Sequence, residues 1–458
     1  MQEQSIQLPV IPGHRGLLHY FSHYFENDHI GGIPLRFVVT RTDEKHYYCE
    51  TGCLDNASSI VERHDESIFR LRKRKVENTT EFTALLVVPT GIGVEIGGHA
   101  GDAGPVAKMI AGLCDNLILH PNVVNASDIN EMTENTLYVE GSVLSRLLLG
   151  TVGLQKVKAN RLLMVLDNHK LDVFVNAAIN SVNAARATYG LDCSEIVKLE
   201  PPVRMSASYS NSGRAVGKIE GLENLFSLLD EYKGQYDAVA LSSVIKVPRN
   251  YHMDYFLSDG DMLNPWGGVE AMLTHAISHF YNVPSAHSPM FELEEIANMD
   301  PGIVDSRMAA EAVSLTFLQC ILKGLQRSPK IITDQSSILG KDVISAEDIS
   351  CLIIPNGCIG LPTLAALEQG IPVIAVNDKK NIVENDLTML PWNYNQLHIV
   401  DNYLEAVGIM ATIKAGVSVE SIRRPLHSTK ITLKTFENQK MDTEEITSVL
   451  GGITSPKG

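Results

Sequence analysis

Long apolar runs are missing from this 458-residue sequence, since none reaches the roughly 18 residues that a membrane-spanning helix needs. The first residues, "MQEQSIQLPVIPGHRG", carry polar side chains and prolines where a secretory signal peptide has its apolar region. The sequence therefore predicts a protein without a membrane span or an export signal.

Cysteine is scarce as well. The seven cysteines are scattered and odd in number, which argues against a disulfide framework and favours reduced thiols in the cytoplasm. Cys49 and Cys53 form a lone C-x3-C pair with no second pair nearby, so zinc is disfavoured there. We assign no metal ligands, and the sequence identifies no cofactor.

Positive charge is in deficit. Lys and Arg number 38 against 54 Asp and Glu, which gives a formal net charge of −16 and argues against nucleic acid or an anionic membrane as a partner. The only obvious basic stretch, "RLRKRK" at 70–75, is interpreted as the solvated face of a charged helix. We expect a small anionic molecule as the substrate and further copies of the chain as partners in a homo-oligomer.

A regular alternation of buried strands and helices is present from Phe82 onward, and it predicts parallel βαβ units. We expect an α/β fold with two Rossmann-like lobes, mainly parallel sheets, an interlobe cleft and a small N-terminal α+β segment. The expected boundaries are 1–80 for the N-terminal segment, 81–235 for the first lobe, 236–425 for the second lobe and 426–458 for a C-terminal tail.

Four stretches make specific predictions about local structure. "IPLRFVVTRTDEKHYYCETG" predicts a β-hairpin, whereas "NASSIVERHDESIFRLRKRKVENTTE" predicts a charged helix. "NLILHPNVV" predicts one strand and "AAEAVSLTFLQCILKGLQRS" one long helix.

Two stretches share one order of elements. "YDAVALSS", with the later "GGVEAMLTHAISHFYNVPSA", and "ISCLIIPNGCIGLPTLAALEQGIPVIAV" each contain an apolar strand, a turn of small polar residues, a helix and a short strand entered through proline. Two such lobes facing each other would form a cleft at the carboxyl ends of their strands, where open α/β sheets bind ligands.

Six glycines lie between Thr90 and Pro105, just before a predicted helix, at positions 91, 93, 97, 98, 101 and 104. Glycine lets the backbone approach a ligand closely, and the free N–H groups of a helix start favour an anion. The stretch matches neither the Walker pattern nor the dinucleotide fingerprint, so a plain connecting loop is the alternative. Two polar residues in it, His99 and Asp102, are candidate catalytic groups.

Polar clusters follow two of the predicted strands. The first cluster comprises His120, Asn122, Asn125 and Asp128. These residues are suited to hydrogen bonding with a polar ligand, and their alternative role is to cap a short helix. Asp167 and His169 end another strand, where they could share a face for acid–base chemistry or form a polar turn.

Asp259, Asp261 and Asn264 precede a predicted helix that contains His275, and His287 follows that helix. Spaced acids are typical of divalent-cation sites, although the calcium-loop spacing does not occur. A loop over the cleft and a solvated loop are the alternatives.

Cys358 lies at a predicted strand-to-helix junction, within "IPNGCIGLP". The field of a helix N-terminus lowers the pKa of a thiol and makes it a better nucleophile or base. The alternative is a small buried residue that fills a tight turn.

Long stretches of residues 80–425 resemble a family of unknown function found in cyanobacteria, plastid-bearing organisms and other bacteria. The resemblance is carried by "PTGIGVEIGGHAGDAGPVAKMIAGLCD", "HPNVVNASDINEM", "YVEGSVLSRLLLG", "NPWGGVEAMLTHAISHFYNVPSAHSPM", "DPGIVDSRMAAEAVSLTFLQCILKGL" and "IPNGCIGLPTLAALEQGIPVIAV". It implies no reaction.

Two more remote resemblances suggest chemistry. The units ending in "NVPSA" and "GIPVIAV" are similar to the aspartate/glutamate racemase superfamily, which implies that Cys358 moves a proton beside a carboxylate. The matching turn of the other lobe holds Ser242 and Ser243, so a single thiol would work with His99 or His169. "GGHAGDAGPVAKMIAGL" and "GLPTLAALEQGIPVI" resemble two-lobed sugar-nucleotide transferases and epimerases, which implies that Glu368 meets a ribose.

We therefore predict an enzyme acting on a small anionic, carboxylate-bearing metabolite, with isomerase or lyase chemistry favoured over glycosyl transfer. A sugar-nucleotide enzyme and a non-catalytic metabolite-binding protein are the alternatives. The catalytic candidates are Cys358, His99, His169 and Asp102. The substrate-binding candidates are Gly91, Gly93, Gly97, Gly98, His120, Asn122, Asn125, Ser242, Ser243, Asn264, Asn356 and Thr363.

Overall fold

The computed structural model describes residues 1–11, 16–27, 32–55, 67–377 and 380–435. The chain divides into two compact units, Met1–Ala415 and Gly416–Gly458. The first unit contains all the strands described below, and the second contains one short described helix. Within the described residues, no helix is both long enough and apolar enough to cross a membrane.

The strands, in chain order, are β1 (Gln2–Pro9), β2 (Gly32–Thr42), β3 (His46–Asp55), β4 (Thr83–Leu86), β5 (Asn116–Leu119), β6 (Thr136–Tyr138), β7 (Gly153–Gln155), β8 (Leu162–Asp167), β9 (Ile196–Leu199), β10 (Arg204–Tyr209), β11 (Ala215–Glu220), β12 (Ala238–Lys246), β13 (Ser285–Met290), β14 (Lys330–Ile332), β15 (Val343–Ile344), β16 (Ile349–Pro355), β17 (Ile359–Gly360), β18 (Val373–Val376) and β19 (Leu397–Val400).

The α-helices are α1 (Leu17–Asn27), α2 (Gly104–Ala111), α3 (Pro121–Val124), α4 (Gly141–Leu148), α5 (Asp172–Tyr189), α6 (Leu222–Glu231), α7 (Tyr251–Leu257), α8 (Gly267–Tyr281), α9 (Glu294–Ala297), α10 (Ala309–Ala312), α11 (Leu318–Gln326), α12 (Gln335–Ile338), α13 (Leu361–Gln369), α14 (Tyr403–Lys414) and α15 (Val419–Ile422). Two 3-10 helices cover Ala346–Asp348 and Leu387–Met389.

A six-stranded parallel sheet, here the main sheet, has the order β19-β18-β16-β4-β5-β6. Its central strands are apolar and buried along their whole length, as expected where helices cover both faces. The sheet joins two distant parts of the chain, 83–138 and 349–400, through the β4–β16 pair, in which Leu85 lies opposite Leu352.

The second six-stranded sheet combines β8 to β13. β12 pairs in parallel with β8, β10 and β13, whereas β10 and β11 are antiparallel. Its apolar residues pack against α6 and α8; Phe226 and Met272 are examples. α8 therefore packs against this sheet, and, as shown below, its first turns also line the candidate site.

Two smaller antiparallel sheets complete the first unit. β1, β3 and β2 form an N-terminal sheet that also pairs with β17, where Ile359 lies opposite Val39. The predicted hairpin is β2–β3. β14 and β15 flank β7 in the other sheet.

The predicted fold class is confirmed: the chain is α/β with mainly parallel sheets and a small N-terminal α+β segment. The sheets do not follow the predicted boundary between residues 235 and 236, because the main sheet takes strands from both sides of it. The physical reason is the β4–β16 pairing, which brings residues 349–353 beside residues 83–86. Part of the predicted tail, residues 436–458, lies outside the described residues.

The basic stretch at 70–75 is not helical, and the prediction of a solvated helix face is wrong. Arg74 lies at the carboxyl end of α13, where its side chain donates to the carbonyl oxygens of Ile349, Gln369 and Gly370. A cation in this position complements the negative end of a helix. Residues 56–66 of the predicted helix lie outside the described residues.

Two predicted elements are divided in the structure. The predicted strand "NLILHPNVV" ends at Leu119, because proline then starts α3. The predicted long helix is divided into α10 and α11, with Phe317 in a left-handed conformation (φ 48°) between them. Asp128 accepts hydrogen bonds from the backbone N–H groups of Leu318 and Gln319 and so caps the start of α11.

Four buried charges join the N-terminal sheet to the second sheet. Arg214 pairs with Glu3 and donates to Glu50 at 2.9 Å, while Arg36 donates to Glu3 at 2.9 Å and to the carbonyl of Gly268 in α8 at 2.8 Å. Burial alone would raise the pKa of Glu3, but the two guanidinium groups hold it below its usual value. The two positive and two negative charges balance, and Arg36 connects the network to the start of α8.

We predict that Arg214→Met lowers the free energy of unfolding by about 3–5 kcal/mol, because it leaves Glu3 and Glu50 buried without their shared partner. The matched control is Arg204→Met, which breaks the exposed Arg204–Glu220 pair and should cost less than about 1 kcal/mol. Urea denaturation of both variants checks this, and equal losses would contradict the role given to the buried network.

Candidate functional site

The carboxyl ends of four main-sheet strands open into one cavity of about 300 Å³, here the main cavity. The glycine-rich segment follows β4, His120 follows β5, Glu140 follows β6 and Cys358 follows β16, and all of them line the wall. Residues of α8 and β13 close the cavity from the second sheet. The Gly91–Gly104 segment and Cys358 therefore share one cavity.

The glycine-rich segment is a series of turns rather than a simple loop. Asn122 holds it by donating to the carbonyl oxygens of Val88 and Gly97, and the carboxylate of Asp102 accepts from the N–H of Gly97 at 2.7 Å. Gly97 has φ 91°, and a Cβ there would lie 2.4 Å from Val88. Only glycine fits at this position, so close packing explains at least this glycine.

His120 is a buried, neutral part of the wall. Its Nε2 accepts a hydrogen bond from the N–H of Val88 at 3.0 Å. Burial lowers its pKa to about 4, so the ring stays uncharged at neutral pH. His120 is therefore suited to shaping the cavity rather than to carrying a proton.

Glu140 and His275 form a carboxylate–imidazole pair in the main cavity. Glu140 is buried at the start of α4, where it accepts from the N–H and hydroxyl of Ser142 and pairs with Nδ1 of His275. Burial would raise the pKa of Glu140, but His275 and these hydrogen bonds keep it below its usual value. A buried carboxylate thus holds an imidazole whose side chain is 16% exposed.

Glu270 and His287 form a second pair with the opposite arrangement. The His287 side chain is fully buried and Glu270 is 24% exposed, with 2.9 Å between Nδ1 and the carboxylate. Nε2 of His287 lies 2.7 Å from the hydroxyl of Ser243. This is the bonding order of a Ser–His–acid triad, but Ser243 is buried and lines neither described cavity, whereas the carboxylate does.

The two pairs give the main cavity an imidazole and a carboxylate from one helix, since His275 and Glu270 both lie in α8. Each group is held by a buried partner of the opposite kind. An imidazole and a carboxylate fixed in this way are groups that can transfer a proton to or from a bound ligand.

Cys358 lines the main cavity beside the start of α13. Its carbonyl accepts from the hydroxyl of Thr363 at 2.7 Å, and its sulfur lies 3.6 Å from the side-chain nitrogen of Asn381. No described side chain caps the first turn of α13, whose residues Gly360 to Pro362 also line the cavity. The starts of α4, α8 and α13 all face this space, so their N–H groups and dipoles favour an anion there.

Residues 83–423 match a family described as "Protein of unknown function (DUF3326)". The chain belongs to this family. The match begins at β4, so the N-terminal sheet precedes the family region. The resemblance to a family of unknown function, inferred from the sequence, is thereby confirmed.

One relative of this DUF3326 protein is named an uncharacterized lipoprotein, from Synechococcus sp. strain PCC 6301. The two are 34% identical over 342 residues, which cover 73% of this chain and 91% of the relative. No solved structure matches the chain.

Nine of the predicted site residues line the main cavity of this DUF3326 protein. They are Gly91, Gly93, Gly97, Gly98, His120, Asn122, Asn125, Asn264 and Cys358. Asn264 accepts from the N–H groups of Trp266 and Gly267 and so caps α8. Asp259 and Asp261 are exposed, and in the described residues no group of three or more His, Cys, Asp or Glu side chains has the arrangement of a metal site.

The structure does not bring the predicted histidine partners of Cys358 to the wall of either cavity. Within the described chain, His99 lines neither cavity; it is buried with Nδ1 2.8 Å from the hydroxyl of Tyr255, and burial lowers its pKa to about 4. His169 ends β8 and packs edge-on against Phe174, away from both cavities. Asp102 acts through Gly97, and burial raises its pKa to about 7.

Four other predicted binding residues line neither cavity of the described chain. Thr363 and Ser243 hold Cys358 and His287 respectively, and Asn356 pairs with Asn377. Ser242 is buried in β12. The position of a residue at the end of a strand does not tell whether its side chain lines the cavity, because adjacent strand residues point to opposite faces.

The sequence patterns missed Glu140 and Glu270, and they did not assign His275 or His287 to the site. Glu140 follows the short strand β6 in "YVEG", a position equivalent to Cys358 after β16, and this was the available signal. Glu270 and His275 lie inside a helix, where polar residues are ordinarily solvated.

A second cavity of about 180 Å³ lies beside the main one, and Glu311 is part of its wall. The carboxyl of Glu311 accepts from the N–H of Ala100 at 2.6 Å and from the hydroxyl of Tyr255 at 3.1 Å. Burial raises its pKa to about 7, so the group is largely protonated below neutral pH.

We predict that Glu311→Gln changes how stability depends on pH. The unfolded chain ionises this carboxyl near its usual pKa of 4.5, whereas the folded chain resists ionisation up to about 7, so the wild type loses stability across that interval. The variant should gain relative stability between these pH values, on the order of 3 kcal/mol at most, and then level off.

Urea denaturation at a series of pH values from 4 to about 9 measures this difference. Glu223→Gln, at an exposed position of α6, is the matched control and should give a flat difference. A flat difference for Glu311→Gln as well would contradict a raised pKa at this position.

Proposed function

We propose that this DUF3326 protein is an enzyme that moves a proton on a small anionic, carboxylate-bearing metabolite held in the main cavity. The observation that supports the proposal is the cavity wall itself, which combines the imidazole of His275, the carboxylate of Glu270 and the thiol of Cys358. Ion pairs that only stabilise the fold have no need to line one cavity, whereas here both pairs contribute to the wall of a cavity of about 300 Å³.

The carboxylate of the metabolite would bind at the start of α13, where no described side chain caps the first turn. Glu140 and Asn264 already accept from the first N–H groups of α4 and α8, whereas at the start of α13, where Pro362 has no N–H, the donors are the backbone N–H groups of Leu361 and Thr363. Hydrogen bonds from these donors would also stabilise negative charge that develops on the carboxylate when an adjacent C–H loses its proton.

His275 would take or return that proton, because the buried carboxylate of Glu140 fixes its ring in the cavity wall. Cys358 would act from the α13 side, as the second proton carrier or as a nucleophile. Removal from one side and return from the other is an isomerase reaction, and loss of a carboxyl group followed by protonation is a lyase reaction.

A sugar-nucleotide enzyme is less well supported. In a sugar-nucleotide enzyme Glu368 would contact the ribose, but this residue is near the end of α13 and lines neither cavity formed by the described residues. Only the start of this helix faces the main cavity.

The cytoplasmic location and the homo-oligomer remain predictions. The Synechococcus relative is named a lipoprotein, which favours membrane association for that protein. The proposed chemistry does not depend on either point.

The proposal predicts deuterium uptake. Carboxylates from a panel of 2-amino, 2-hydroxy and aryl-substituted acids that raise the melting temperature should exchange the hydrogen beside the carboxylate in D₂O, as read by proton NMR. Cys358→Ser and His275→Gln should each slow this exchange by at least about 100-fold, while the ligand still raises the melting temperature.

His169→Gln is the matched control, since this histidine lies outside both cavities and its loss should leave the exchange rate unchanged. A panel member that binds without any exchange in the wild type would instead support a non-catalytic binding protein. Exchange that survives both cavity variants would remove Cys358 and His275 from the proposed roles.

A further inference from the structure

The second cavity is chemically unlike the main one. Six aromatic rings and three methionines contribute to its wall. The rings are those of His252, Phe256, Trp266, His287, Phe291 and Phe317. Several already make tilted or edge-to-face contacts, for example Phe291 with Phe317 at 5.5 Å and His252 with Trp266 at 5.2 Å.

The two cavities are neighbours. Five residues line both of them: Ala100, Asn125, Asn264, Glu270 and His287. The apolar space therefore adjoins, at these residues, the space that Cys358 and His275 line. The residues lining both cavities include Glu270, the carboxylate that α8 contributes to the main cavity.

The size of the second cavity fits a ring. Its volume of about 180 Å³ exceeds the roughly 150 Å³ of an apolar protein cavity that binds benzene. Edge and face contacts with the lining rings would orient an aromatic group, and methionine side chains adapt to its outline. The one buried acid in the wall, Glu311, is largely uncharged below neutral pH, so it does not exclude an apolar group.

We propose that the ligand of the main cavity carries an aromatic ring, and that this ring occupies the second cavity while the carboxylate lies at the start of α13. This inference rests on the proposed function and narrows its substrate class from carboxylates in general to aryl-substituted carboxylates. The bond between ring and acid portion would pass beside Glu270 and His287.

Binding of two matched acids tests the inference. Isothermal titration calorimetry should show that 3-phenylpropanoate binds at least about tenfold more tightly than propanoate, because only the former buries a ring. Ala297→Phe, which adds a ring at the wall of the second cavity, should reduce 3-phenylpropanoate to the affinity of propanoate and leave propanoate unchanged. Ala184→Phe, at an exposed position of α5, is the control.

A fluorescence measurement gives the same test without altering the cavity. The chain has two tryptophans, so Trp392→Phe leaves Trp266 as the only indole. 3-Phenylpropanoate should change the Trp266 emission and propanoate should not.

The outcomes separate the two proposals. Equal affinities for both acids, or the same emission change with both, would overturn the aromatic inference alone. If neither acid binds and no carboxylate of the deuterium panel binds, the proposed function fails together with it. Tight binding of 3-phenylpropanoate without deuterium exchange by any bound panel member would keep the ring site and remove the enzymatic role.

Discussion

The parallel pairing of β4 with β16 is the interaction on which the site depends. It places residues 83–86 beside 349–353, so the turns that follow the two strands lie at the same edge of one buried sheet. The glycine-rich segment and Cys358 then face a common space, with His120 and Glu140 contributed by β5 and β6. Hydrophobic burial of strands such as β16, all of whose residues are buried, supplies the free energy that holds this edge together.

A second constraint fixes α8, which brings His275 and Glu270 to the same space. Arg36 donates to the Gly268 carbonyl at the start of the helix, and the network with Glu3, Glu50 and Arg214 ties it to the N-terminal sheet. Helix, sheet edge and N-terminal sheet together hold charged groups out of water, and such groups persist in a cavity only when they are paired. Here His275 is paired with the buried Glu140, and Glu270 is paired with the buried His287.

The sequence was sufficient for the fold class and for the two chain segments that meet at the cavity. Strand burial and helix starts are local properties, so "FTALLVVP" and the β16–α13–β18 stretch were predicted correctly. The positions of His99 and His169 could not be read from the sequence, because both follow predicted strands and only the packing shows that they line neither cavity. The pairing of Glu140 with His275 joins residues 135 positions apart and leaves no periodic signal. The prediction of a helix at 70–75 was wrong for a similar reason, because the contacts of Arg74 with carbonyl oxygens such as that of Gln369 join residues far apart in the chain.

The central claim is that a carboxylate bound in the main cavity lies next to Cys358. Iodoacetate and iodoacetamide carry the same reactive carbon and differ in charge, so their rates of alkylation at Cys358, followed by peptide mass spectrometry, test the claim directly. Cys351, fully buried in β16, serves as the internal reference in the same digest. The account predicts that iodoacetate modifies Cys358 faster than iodoacetamide does and that its rate saturates with concentration. A faster reaction with iodoacetamide, or a rate strictly proportional to iodoacetate concentration, would contradict it.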